Sequence, residues 1–433
     1  MSPLTIAIII MCVTFIGFMA LSVPISLCIV ISTAVPFLYL DVPLAIVPQK
    51  MSDGLNNFAL LTIPFFILAG QIMGEGGLAR RLVRFALLGF GRFRGGLSLV
   101  DCIACLLFGN ISGSAAADIA SVGSVMIPDM AKQGYPIEYA TGLTIAAAVQ
   151  GVVVPPSHNL ILYSIAVGGV VSISSLFVAG IIPGLVICVI LMIGTYIIAR
   201  KRGYVQLTHI PKEEKNRVIF DGILSIMPAF LILGGIFTGW FTASESGAVA
   251  CLYAFLITIF YYKELDLKKF WKVIFKTLRI VSLVFFLMAA SAAFSYLLAY
   301  LNIPEMVTNG LLAISSNKYV VFFIINVLLI LLSAPMDMAP LIMIMTPILL
   351  PVTKDLGMDP IHFGIVMMLN LGIGLTIPPH GSVLFVGCGL NHLDIMKVTK
   401  AMLPLYLILI ICLLVITNVP IISMFLPHLL NMK

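Results

Sequence analysis

Charge is scarce in this chain. Asp, Glu, Lys and Arg make up 10% of its 433 residues, whereas soluble domains carry about 25%. No long polar stretch is present that could fold as a soluble domain. The longest, from about Arg200 to Arg217, reads as a loop. Also missing is the phosphate-cradling run G-x-x-x-x-G-K-[ST], which excludes ATP hydrolysis at a P-loop. No Ser-His-Asp order, metal-ligand spacing or haem motif stands out. An intramembrane enzyme would need paired residues at one depth, and only His158 or His380 with Asp337 could serve. The eight cysteines lie mostly in apolar segments. Cys102-Ile103-Ala104-Cys105 has neither a histidine nor a second pair beside it, and reads as small apolar side chains in a packed helix. Residues 4–20 lack a basic leader and a small-residue cleavage site, so they read as a retained helix.

What fills the chain is hydrophobic residue, 61% of the total. The fold class is an all-α polytopic membrane protein. Spans of roughly 20 apolar residues fall at 4–20, 24–40, 57–74, 137–167, 174–199, 219–239, 243–262, 280–301, 361–390 and 402–427. Two further apolar segments, 98–130 and 319–352, are interrupted near their middles, at Gly109-Asn110-Ile111-Ser112-Gly113-Ser114 and Ser333-Ala334-Pro335-Met336-Asp337. Two spans contain a Pro-Pro pair, Pro155-Pro156 followed by Ser157-His158, and Pro378-Pro379 followed by His380-Gly381. Such a pair cannot sit in a continuous helix, because each ring removes a donor and clashes with the previous turn.

Basic clusters set the topology. They lie at Arg80 to Arg94, Arg200 to Arg217, Lys263 to Arg279, and Lys397 with Lys400, and all are expected on the cytoplasmic side. Segment 98–130 then becomes a re-entrant hairpin entered from the cytoplasm, and 319–352 one entered from outside. Both termini come out periplasmic. The expected architecture is about ten crossing helices, two hairpins and two broken helices, arranged as inverted-topology repeats with a substrate site at the breaks. By chain order, 1–74 are scaffold helices, 75–97 an amphipathic connector arm and 98–167 the first transport half (hairpin 98–130, broken helix 137–167). Residues 168–301 are scaffold again, 302–318 a second connector, 319–390 the second transport half (hairpin 319–352, broken helix 361–390), and 391–433 a C-terminal scaffold helix.

Bare backbone at membrane depth is tolerated where it lines protein or water, and freed carbonyls and helix ends there hold ions. Sodium favours oxygen ligands. One cation site is expected per repeat, between a hairpin tip and the neighbouring broken helix. Asn110, Ser112, Gly113, Ser114, Pro155, Pro156 and Ser157 form the first. Ser333, Asp337, Thr376, Pro378 and Pro379 form the second. The substrate is expected between them, near Ser114, His158, Asn159, Asp337, His380 and Ser382. Competing readings are plain: packing for the serines and glycine, a helix cap for Asp118 or Asp337, and a polar lining or a proton role for the histidines. Asp101 is expected near the cytoplasmic interface, where charge costs little. Glu245 reads as a helix cap.

Three stretches also resemble a known family: Asn56-Asn57-Phe58-Ala59-Leu60-Leu61-Thr62-Ile63-Pro64-Phe65-Phe66-Ile67-Leu68-Ala69-Gly70, the run from Gly109 to Asp118, and Gly123-Ser124-Val125-Met126-Ile127-Pro128. With both Pro-Pro breaks they are similar to the large membrane subunit (M subunit, DctM-like) of TRAP transporters, the tripartite ATP-independent periplasmic systems. The hairpin serines also look like the wider ion transporter superfamily, with its stand-alone sodium/dicarboxylate symporters. The resemblance implies a sodium-driven elevator in a bacterial inner membrane, with Na+ as coupling ion and no other cofactor. It implies a small four-helix Q subunit, expected as a separate chain, and a periplasmic substrate-binding protein. It further implies an organic-acid substrate such as a C4-dicarboxylate, sialic acid or another sugar acid. His158 departs from the family, in which many members carry an apolar residue.

Overall fold

The computed structural model describes residues 2–204, 210–379 and 381–432, and among them there are helices and no strand. The first half runs α1 (Pro3–Ala20), α2 (Ile25–Tyr39), α3 (Ile46–Leu55), α4 (Thr62–Glu75) and α5 (Leu78–Phe90). Its hairpin follows as α6 (Gly96–Ser112), α7 (Ala115–Asp118), a π-helical stretch Ile119–Gly123 and α8 (Ser124–Lys132). The broken helix is α9 (Ile137–Ala148), α10 (Gln150–Val153) and α11 (His158–Ala166), and α12 (Ile173–Arg202) closes the half. The second half runs α13 (Lys215–Phe237), α14 (Ala243–Leu256), α15 (Leu267–Tyr300), α16 (Ile303–Ile314), hairpin arms α17 (Lys318–Ser333) and α18 (Met338–Asp355), broken helix α19 (Pro360–Gly374) and α20 (Ser382–Leu390), then α21 (Ile395–Asn418) and α22 (Ile421–Leu429).

Local chemistry sets the ends. Ser172 caps α12 by accepting from the Ser175 amide at 3.0 Å, and the helix stops where Gly203 turns left-handed after Arg200, Lys201 and Arg202. Cations there suit the carbonyl end of the helix. Thr242 and Glu245 form a reciprocal capping box at α14, so Glu245 is the cap its position suggested. In α5 Leu78, Leu82, Val83 and Ala86 are buried while Arg80 and Arg84 are exposed, which is the expected amphipathic arm. Arg81 ties it to Glu264 at 2.6 Å and stacks over the Tyr262 ring at 3.5 Å.

Among the described residues, eight helices are long and apolar enough to cross a membrane, or nine with the bent pair Ile137–Val153 and His158–Ala166, whose arms diverge by 48°. This is a multi-pass membrane protein. Several details depart from the sequence expectation. α15 starts at Leu267, not near 280; its 34 residues extend about 51 Å, well past a hydrocarbon core of about 30 Å, so its lysine-rich first third projects beyond the core. The last span divides at Val419 and Pro420, because proline cannot continue the hydrogen-bond ladder. α3 lies between two of the expected spans, and packs on α2 and α15.

The packing repeats with the halves exchanged. α2 lies on α15 while α14 lies on α4; α1 pairs with α2 and α13 with α14. α11 packs on α18, and α20 on the π-helical stretch of the first hairpin. α9 meets α21 as α19 meets α12. Swapped pairs of this kind are what an internal duplication produces. α12 and α21 were grouped with the scaffold by chain order. They pack on the hairpins, the broken helices, α22 and each other.

Candidate functional site

The first hairpin tip is built around one glycine. α6 ends at Ser112 because Gly113 takes φ +59°, a conformation that costs a side-chain-bearing residue about 1–2 kcal/mol. Ser114 then caps α7, accepting from the Ala117 amide at 3.5 Å, and its own amide donates to the Ser112 hydroxyl at 3.2 Å. That hydroxyl donates to the Asp118 carboxylate. The cap is therefore Ser114, and Asp118 holds the tip together from inside.

The first break lies directly against this tip. α10 ends at Val153, the Pro155–Pro156 peptide is cis, and Ser157 starts α11 in extended geometry without a side-chain cap bond. A Cβ on Gly113 would stand 2.8 Å from the Pro156 carbonyl oxygen and 3.0 Å from Ser157 Cα. One turn earlier α6 crosses α10 at a second close approach, where a Cβ on Gly109 would lie 2.6 Å from Gly151 Cα. The Ser157 hydroxyl and Asp118 Oδ2 are buried and have no partner. Such groups carry a cost until something binds them. A freed carbonyl, hydroxyl lone pairs and one carboxylate make an all-oxygen set, which fits a small hard cation. Asn159 is buried in the first turn of α11, and Asn110, Ser114 and His158 are half-buried around the contact.

The second tip meets the second break with the parts rearranged. Ser333 ends α17, and Asp337 caps α18 by accepting from the Met338 amide at 3.0 Å. Ser382, at the start of α20, donates to the same Asp337 oxygen at 3.4 Å. Gly374, at the end of α19, presses on Ser333 so closely that a Cβ would overlap it. The Ser333 hydroxyl donates to Ile330 O at 2.8 Å and that of Thr376 to Ile373 O at 2.6 Å. Both hydroxyls thus have lone pairs left for a cation. The Tyr406 hydroxyl donates to the Thr376 carbonyl, so that oxygen is less free than the sequence suggested. The Pro378–Pro379 peptide is also cis. His380 lies outside the described residues. Among the described residues no cluster of His, Cys, Asp or Glu could hold a transition metal.

Each tip borders a cavity. About 220 Å³ lies between α4, α5, α15 and the second arm of hairpin 1, lined by Gly70, Arg80, Ala117, Ser121 and Lys276 among others. About 580 Å³ lies between the α1–α2 turn, Pro335 of the second tip and Pro379 of the second break. Sequence reading missed one buried polar chain. The Asn370 amide donates to Asn326 at 2.6 Å, and Asn326 donates to Thr417 at 3.1 Å. His362 meets Ser423 at 2.6 Å and the Thr417 carbonyl at 3.2 Å. Its signal was there: single amides inside otherwise apolar helices are costly unless paired.

Residues 12–422 match the family model described as the tripartite ATP-independent periplasmic transporter, DctM component. The chain belongs to the DctM family. It is 39% identical to YgiK of Salmonella typhimurium, over 95% of each chain. It is 33% identical to the C4-dicarboxylate TRAP transporter large permease protein DctM of Rhodobacter capsulatus, over 96% of this chain and 98% of that one. It is also 36% identical to the sialic acid TRAP transporter large permease protein SiaM of Vibrio cholerae, over 88% and 89%. Among solved structures, the YdaH transporter of Alcanivorax borkumensis shares the fold, with TM-score 0.55 and 14% identity over 82% of this chain and 85% of that one. This DctM-family chain is thus a transporter's large membrane component, built as two interlocked halves with a polar contact in each.

Proposed function

We propose that the chain imports an organic acid by sodium-coupled elevator transport. A small Q subunit, a separate polypeptide, would bind its outer helices in the bacterial inner membrane, with both termini periplasmic. A periplasmic binding protein would deliver the acid. The observation that carries this reading is the docking of both hairpin tips on both Pro-Pro breaks: Gly113 against Pro156 and Ser157, Ser333 against Gly374, and Asp337 against Ser382. Each contact gathers oxygens suited to Na+. The moving body comprises both hairpins, both broken helices, and α12 and α21, which pack on them. The helices α1, α2, α4, α13, α14 and α15 form the frame.

The acid sits between the two tips, where Ser114, Asn159, Asp337 and Ser382 offer hydrogen bonds. The relatives' names, C4-dicarboxylate and sialic acid, bracket the substrate class as carboxylates of modest size. Reconstitution into liposomes tests the whole. Uptake of labelled acid should require an inward sodium gradient, the Q subunit and the binding protein together. Full-rate uptake by the chain alone would make it a stand-alone symporter, and equal uptake in potassium would end the sodium reading.

A further inference from the structure

Asp101 belongs to neither cation site. It lies on the first arm of hairpin 1, about 8 Å along α6 from its start, where interfacial water was expected to ease its charge. The structure places it fully buried, and neither carboxyl oxygen has a hydrogen-bond partner. Neither a cation nor a committed hydrogen-bond donor faces it. The Thr144 hydroxyl on α9 stands beside it but gives its proton to Ala140 O at 3.1 Å. Gln150 donates to the carbonyls of Cys102 and Ala147 at 3.3 and 3.0 Å, which leaves Oε1 buried and without a partner. An ionised carboxylate only accepts, whereas a carboxylic acid brings one donor. A proton on Asp101 therefore removes an unpaired buried charge and turns the group into a donor that can pair with such an acceptor.

We propose that Asp101 is a proton-binding site of the moving body, that the neutral acid is the form that transports, and that losing the proton stalls the cycle. The claim rests on the elevator reading, in which this body shifts across the bilayer and an unpaired charge within it is costly. Polar side chains lie between Asp101 and the start of α6. The hydroxyls of Ser98 on α6 and of Tyr139 and Thr141 on α9 are likewise buried and unpartnered. Tyr135 lies near Ser98 and packs its ring, tilted, on Tyr204 at 4.2 Å, beside Arg202, whose guanidinium lies 5.0 Å from the Tyr139 ring. These groups lead from Asp101 to the face where hairpin 1 enters.

Other titrating neighbours are few. Cys102 and Cys105 share the helix, Cys188 comes from α12 next to Cys102, and Asp118 from α7 lies beyond Cys105. Among the described residues no lysine, arginine or histidine from α4, α5, α8, α10 or α13 pairs with Asp101.

The test is sodium-driven uptake in proteoliposomes with Q subunit and binding protein, between about pH 6 and 9. Wild-type uptake should fall about tenfold per pH unit above the titration point, since deprotonation removes the competent form. Asp101→Asn, a neutral isostere, should transport with a flat profile, and its infrared spectrum should lack one protonated-carboxyl band present in the wild type. A flat wild-type profile, an Asp101→Asn profile that falls like wild type, an unchanged infrared spectrum, or an inserted Asp101→Asn that is inactive at every pH would each overturn the proposal. If Asp101→Asn does not reach the membrane, the wild-type profile alone decides. Sodium dependence read in the same vesicles keeps the two claims apart: its absence would sink sodium coupling and leave the infrared result standing.

Discussion

The two hairpin tips solve one problem with opposite placements of glycine. In the first half the glycine is on the tip: Gly113, at φ +59°, brings bare backbone against Pro156 and Ser157. In the second half the tip carries Ser333 and no glycine, and the broken helix supplies Gly374 to receive it. The carboxylates differ as well. Asp118 is buried and bonded to Ser112 across the first tip, while Asp337 is exposed and caps its own helix. A duplicated fold thus preserves the contact between tip and break without preserving which residue makes room for it. The first contact is buried and closed; the second adds a long, exposed hydrogen bond to its buried Ser333–Gly374 approach and is open on that side.

The largest effect should come from filling the two glycines. Gly113→Ala must adopt a left-handed backbone at about 1–2 kcal/mol and also push on a carbonyl that cannot step aside. We expect lowered thermal stability and at least a tenfold loss of sodium-driven uptake, which no change at Ser157 restores, because the obstacle is backbone. Gly374→Ala should cost comparable stability through overlap with Ser333 alone. Ser333→Gly in that background should then restore thermal stability while leaving sodium affinity low. Rescue of Gly113→Ala by a Ser157 variant would erase the distinction between the two halves.

Much of this arrangement was legible in the chain. The two Pro-Pro pairs and the interruptions at Gly113 and Pro335 are backbone signals, and backbone constraints act locally, so they survive reading in one dimension. Both breaks and both tips lie where proline and glycine chemistry puts them. What the sequence hid depends on what packs alongside. Asp101 and Asp118 look alike in an apolar run, yet Asp118 meets a serine from across a turn and Asp101 meets no partner. The partners of Thr376 and Asn370 come from α21 and α17, and no local pattern announces them. α12 and α21 have the composition of any apolar span, so only their contacts say which body they pack with.

Removing the tip hydroxyls should give an intermediate and unequal effect. Ser112→Ala strips a buried carboxylate of its donor, a loss of about 1–3 kcal/mol, so the apparent sodium affinity should fall by about tenfold or more. Ser333→Ala removes a hydroxyl already bonded within its own helix, and a loss nearer threefold is expected from about 0.5–1 kcal/mol. Uptake against sodium concentration measures both. An unaltered sodium response in both variants would remove these serines from the cation sites.

The smallest effect should be at Ser382. Its bond to Asp337 is 3.4 Å long and exposed to solvent, and surface contacts of that kind change energies by about 0.5 kcal/mol or less. Asp337 also keeps its cap on the Met338 amide when Ser382 is gone, so no group is stranded. Ser382→Ala should therefore alter sodium affinity by about twofold or less. A loss as large as that of Ser112→Ala would mean that the open contact closes during transport and becomes as buried as the first. The asymmetry between the two tips would then mark one stage of the cycle, and the halves would exchange their closed and open forms as the body moves.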